Sequence, residues 1–124
     1  MHETVVGVDP GKSTGLCAVQ GGVIVAACVA QSYAEVQQFL STWCHEGATV
    51  VVEDFVLGAR PASAKDPIKM IGVVEFICER EGLHLVMSSP SILQRMLPRV
   101  RGAHPSPHVR SAYAHVLHYV GRSR

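Results

Sequence analysis

At 124 residues, with 48% apolar and 17% charged, the chain has the size of one domain and enough nonpolar material for a packed core, which excludes a disordered chain. No apolar run reaches membrane-spanning length, and the opening MHETVV lacks the basic segment of a secretory signal. The net charge of +1 is unevenly spread: all ten acids and five bases lie at or before Glu81, and six arginines with no acid follow it, which suits either a nucleic-acid surface or a solvated face.

Thr4 to Val8 is nearly all apolar, as expected of a strand buried on both faces. Asp9 closes it, and a carboxylate there is costly unless it is paired or binds something cationic. Pro10-Gly11 reverses the chain, Pro fixing φ and Gly tolerating φ > 0. Thr14 to Val19 then returns beside the first strand. Gly11-Lys12-Ser13 has the look of a P-loop tail, but that motif needs a glycine where Val6 stands, and a helix where TGLCAVQGG reads as a strand. Gly21-Gly22 is a hairpin turn, and Gly22 to Ala30 completes a three-stranded meander.

Ser32 and Glu35 form a capping box at a helix start. Val36, Phe39, Leu40 and Trp43 share a face of that helix, and Gly47 stops it. Ala48 to Val52 is a second buried strand, and it ends in Glu53-Asp54, repeating the pattern of Asp9. A helix between two such strands makes a parallel crossover reasonable. Both acids then reach one edge of the sheet, where α/β proteins place ligand sites. Strand alternation turns Asp54 the other way.

Phe55 to Lys65 reads as a loop. Asp66 caps a helix with Pro67 at its first position; Ile68, Ile71, Val74, Ile77 and Cys78 form its apolar face, and Gly82 ends it. Leu83 to Met87 is a fifth strand. Ser89-Pro90 opens a short helix through Leu97 that Pro98 closes, and residues 98 to 107 make a basic Pro/Gly-rich loop. The last helix runs from Pro107 to about Val120, with an apolar stripe of Val109, Tyr113, Val116 and Val120. His108, Ser111, His115 and His118 form a neighbouring stripe at the edge of that core. Cys17, Cys28, Cys44 and Cys78 show no CxxC spacing and read as reduced thiols.

The stretch TVVGVDPGKSTGL resembles the first motif of RuvC-type Holliday-junction resolvases, which belong to the ribonuclease H-like nucleases; actin-like ATPases share such an opening. VVVED is similar to the second motif. In the third, the family places an acidic or His-xx-Asp pair followed by Ala. This chain reads His108-Val-Arg-Ser111-Ala112, so Ser111 stands where Asp is expected, and no carboxylate follows Glu81 to replace it. The added His115 one turn later looks like the short phage-type members. The element order βββαβαβα matches the ribonuclease H-like fold: an α/β domain over residues 1–124, with a mixed five-stranded sheet (antiparallel meander plus parallel strands) flanked by helices.

The resemblance implies Mg²⁺-dependent hydrolysis of phosphodiesters in four-way junctions and other branched DNA, with Mn²⁺ as a substitute ion, 5′-phosphate ends and a homodimer. It also implies a cytoplasmic setting, in a bacterium or a phage-infected host. Asp9 and Glu53 would hold the metal, and His108, Ser111 and His115 would complete the catalytic group, with His108 or His115 as ligand or proton carrier. Lys12, Arg60, Lys65, Lys69, Arg95, Arg99 and Arg101 are candidate phosphate contacts. Phe55 is placed either to wedge into an opened junction or to end the strand in the core. The substitution at Ser111 leaves a second reading, a junction-binding module that does not cut; a nucleotide-binding ATPase is the remote third.

Overall fold

A computed structural model describes residues 3–54 and 65–122. Strands β1 (Thr4–Asp9), β2 (Thr14–Gln20) and β3 (Val23–Ala30) form the expected antiparallel meander. Gly21 and Gly22, both at positive φ, turn β2 into β3. Helix α1 (Tyr33–Trp43) leads to β4 (Thr49–Glu53), which lies parallel to β1. Helix α2 (Lys65–Glu81) leads to β5 (His84–Ser88), parallel to β4. Helices α3 (Ile92–Val100) and α4 (Pro107–Arg122) close the chain. The sheet order is β3-β2-β1-β4-β5. The central strands β1 and β4 are the near-continuous apolar runs, because both of their faces are covered.

Alternation along those strands supplies two cores. Val6, Val8, Val50 and Val52 point to one face and pack with Val36, Phe39 and Leu40 of α1 and with Met70, Val74, Ile77 and Cys78 of α2. Val5, Cys17 and Val51 point to the other and meet Val109, Ala112 and Val116 of α4. Burying one such aliphatic side chain is worth about 1.5–3 kcal/mol. Helix α3 lies outside α4, with Ile92, Met96 and Val100 packed on Ala114. The final helix is therefore covered on two sides.

Ser32 caps α1 as expected: its hydroxyl accepts from the Glu35 amide at 3.2 Å, and Glu35 reaches back to the Gln31 amide at 3.0 Å. That helix ends at Trp43, before Gly47, whose positive φ serves the following turn. Asp66 lies inside the first turn of α2 rather than capping it. Met70 is buried on α2, and Ile68 is exposed instead. Gly82 ends the helix at φ 70°, with the Leu83 amide bonded to the Cys78 carbonyl. Pro98 sits within the last turn of α3; the carbonyl it leaves unbonded belongs to exposed Gln94, which water can reach. Gly11 turns the chain without a positive φ. All four cysteines are free thiols.

Candidate active site

Strand register brings three polar side chains to one end of the sheet. Val8 pairs with Val52, and Glu53 pairs with Ser88, so Asp9, Glu53 and Ser88 close neighbouring strands. Val5 and Val51 face α4. Counting by twos, Asp9 and Glu53 face α4 as well. Asp54 is exposed, consistent with the opposite direction, and its amide donates to the Ser88 carbonyl at 2.7 Å.

Two glycines let α4 settle directly on this end of the sheet. A Cβ on Gly7 would lie 2.5 Å from the Ala112 carbonyl oxygen and 2.6 Å from Val116 Cγ2. One on Gly15, the strand partner of Asp9, would overlap the His108 backbone. With hydrogen there instead, the helix lowers Ser111 and His115 onto the acids. His115 is fully buried. Its Nε2 lies 2.8 Å from Glu53 Oε1, and its Nδ1 lies 2.6 Å from Ser88 Oγ. The Ser111 hydroxyl donates to the same Glu53 Oε1 at 3.4 Å.

Asp9 feels this crowding. Burial first, and then the charge of Glu53, push its carboxyl up to about 7; a hydrogen bond from Ser111 pulls the other way, and one shared with Glu53 raises it further. A cation beside Asp9 would offset the charge that Glu53 sets against it. The oxygen donors of Asp9, Glu53 and Ser111 suit a hard ion such as Mg²⁺, which takes one or two carboxylates and keeps several waters. Among the described residues no group of three His, Cys, Asp or Glu side chains gathers into a metal site. The protein therefore offers an acid pair and no third acidic ligand.

The other expected residues distribute as follows. His108 is exposed at the first turn of α4, above Gly15, with no side-chain hydrogen bond to either acid among the described residues. The stripe expected to be half-buried is uneven: His108 is exposed and His118 half-buried, while Ser111 and His115 are interior because α4 sets them against Glu53 and Ser88 at the strand ends. Lys12 is exposed in the turn after Asp9 and shares a groove of about 280 Å³ with Gln31, Tyr33 and Asp66, at the starts of α1 and α2. Lys65 and Lys69 are exposed on the first turns of α2. Arg95, Arg99 and Arg101 are exposed on and just after α3. Arg99 lies within electrostatic reach of Tyr113, whose hydroxyl donates to the Gly22 carbonyl at the end of the meander away from Asp9. Phe55 and Arg60 lie outside the described residues. Arg110 is occupied: its guanidinium donates to the His104 and Pro105 carbonyls at 2.6 and 2.9 Å and ties the basic loop to α4.

Ser88 is the member of this cluster that sequence reasoning missed. The usable signal was its place at the C-terminal end of the fifth strand, one residue beyond the expected boundary at Met87.

An antiparallel meander followed by two parallel strands, with acids at the ends of the first and fourth, is the arrangement of the ribonuclease H-like α/β fold. More particularly, the fold is that of the RuvC-like Holliday junction resolvases. The chain superimposes on Thermus thermophilus RuvC in complex with a Holliday junction substrate with a TM-score of 0.82 at 20% identity, over 99% of this chain and 96% of that one. A second Thermus thermophilus RuvC structure gives 0.75 at 19% identity, over 98% and 95% of the two chains. The Fowlpox virus resolvase bound to Holliday junction DNA gives 0.68 at 10% identity, over 95% and 99%. No protein-family model and no curated protein matches the sequence.

Proposed function

We propose that this protein is a divalent-cation-dependent endonuclease that resolves four-way and other branched DNA junctions as a homodimer. The observation that carries the reading is the half-buried Asp9–Glu53 pair, held at the strand ends under α4, with Asp9 pushed up to about 7 by partial burial and by its neighbour. A structure that tolerates such a pair keeps it for a cation. The fold neighbours that carry junction DNA supply the substrate class.

In this reading Asp9 and Glu53 hold Mg²⁺, with Mn²⁺ able to replace it. The bound ion supplies Lewis-acid chemistry, lowering the pKa of a water and balancing charge on the phosphate and the leaving oxygen. The chain's own residues do the rest. Ser111 donates a hydrogen bond to the acid pair, standing where a further carboxylate would be. His108, exposed and bonded to neither acid, carries a proton to or from the reacting phosphate. Lys12, exposed in the β1–β2 turn, and Lys65 and Lys69, exposed on the first turns of α2, neutralise backbone phosphates without reading sequence. A four-way junction needs two symmetric cuts, which a two-fold dimer provides. We place its interface on α2, where Ile68 and Phe76 are 42% and 62% exposed.

The test is a synthetic four-way junction incubated with Mg²⁺ and either wild type or Asp9→Asn. Wild type is expected to release paired products with 5′-phosphate ends. Asp9→Asn is expected to bind the junction and cut it at least about a hundredfold more slowly, and Phe76→Glu to sediment as a monomer. Wild-type protein that binds without cutting would establish the junction-binding module instead, the reading that Ser111 favours.

A further inference from the structure

Resting on the cation site just proposed, we infer that His115 and Ser88 are positioning residues that hold Glu53 so that only one of its carboxylate oxygens faces the ion. The argument starts from donor and acceptor bookkeeping. An ionised carboxylate only accepts hydrogen bonds. The contact between His115 Nε2 and Glu53 Oε1, at 2.8 Å, therefore requires the proton on Nε2. In the neutral ring Nδ1 is then an acceptor, and the hydroxyl 2.6 Å from it, Ser88 Oγ, donates. With the ring neutral, the chain of donation runs from Ser88 through His115 to Glu53.

That direction fixes more than a tautomer. Glu53 Oε1 receives two donors, His115 Nε2 and the Ser111 hydroxyl, both from α4. Its lone pairs are engaged, which leaves Oε2 as the oxygen available to the ion. The support is rigid because it comes from packed elements: Ser88 closes β5 level with Glu53, and His115 is fully buried against the ends of β4 and β5. Among the described residues no buried side-chain polar atom lacks a partner, so the relay is closed. Both His115 nitrogens are occupied and water does not reach the ring. It is therefore neither a metal ligand nor a proton carrier, the two roles the sequence suggested for it. Outer partners of this kind are worth roughly 10- to 100-fold in ion affinity where they orient a ligand.

The experiment is Mn²⁺ titration of the DNA-free protein followed by electron paramagnetic resonance, on wild type, Ser88→Ala and His115→Phe, with thermal melting to confirm folding. In parallel, ¹⁵N-histidine spectra of the metal-free wild type and Ser88→Ala report the ring tautomer. We expect wild type to bind Mn²⁺ with the His115 proton on Nε2. Each folded variant is expected to bind roughly tenfold more weakly, and Ser88→Ala to show a mixture of tautomers. Wild-type affinity in either folded variant overturns the positioning role and leaves the cation site standing. Wild type that binds no Mn²⁺ overturns the cation site, and this inference with it.

Discussion

Asp9 links pH to stability in a direction opposite to that of most carboxylates. Its folded value, about 7, lies above the ordinary 3.8. Between those values the folded protein holds a proton that the unfolded chain has released. The resulting stabilisation is complete below the unfolded value, declines as pH rises, and is lost as pH passes the folded value. The metal-free protein should therefore melt several degrees lower at about pH 8 than at about pH 5. Asp9→Asn should flatten that slope and melt above wild type on the alkaline side. An unchanged slope in the variant would remove Asp9 as its source. Saturating Mg²⁺ should raise the melting point most where the pair is ionised, because ion and proton compete for the same oxygens. Ser111→Asp tests the same balance from the other side. A third carboxylate beside Asp9 and Glu53 should lower the metal-free melting point, tighten Mg²⁺ binding and raise the rate of junction cleavage by about tenfold or more. No gain in rate would mean that the acid pair suffices. Asp9 and Glu53 were legible in the sequence because each ends an apolar run, where an unpaired acid has no structural reason to be. Ser88 was not, because it precedes Ser89 and Pro90 and one hydroxyl among several polar residues signals nothing until register sets it level with Glu53.

The site depends on how closely α4 lies on β1 and β2. Gly15 is the sharpest point of that contact, since any side chain there meets the His108 backbone. Gly15→Val should lift the first turns of α4, cost about 1–3 kcal/mol of stability, and reduce cleavage well beyond what the stability loss explains. Thermal melting and junction cleavage measured on the same preparation separate the two effects. Wild-type activity in a folded Gly15→Val protein would mean that Ser111 and His115 do not need the close approach. The helices and strands themselves were readable from periodicity, with ends displaced by about one to three residues. The depth of His115 was not. From α4 alone its stripe falls at the margin of the apolar face, and it becomes interior where the helix sets it against Glu53 and Ser88 at the ends of β4 and β5. Strand ends distant in sequence leave no trace in the local pattern. Pro98 misled for a related reason: a helix accepts proline in its last turn when the freed carbonyl faces water.

Across the molecule, charge and geometry divide the labour. The first two thirds supply four of the five strands and every acidic side chain; the last third supplies β5, six arginines and the helix that closes the site. Lys12 brings positive charge to the turn that follows Asp9, which allows a polyanion to approach a negatively charged centre. The whole arrangement serves one physical proposition, that the proton on Asp9 stands in the place of a metal ion. Crystals grown at about pH 8 and soaked in Mn²⁺ test it most directly through anomalous scattering. The account predicts a peak bridging Asp9 and Glu53 Oε2, with Glu53 Oε1 still bonded to His115. Saturating Mn²⁺ that leaves no peak between those two carboxylates would contradict it.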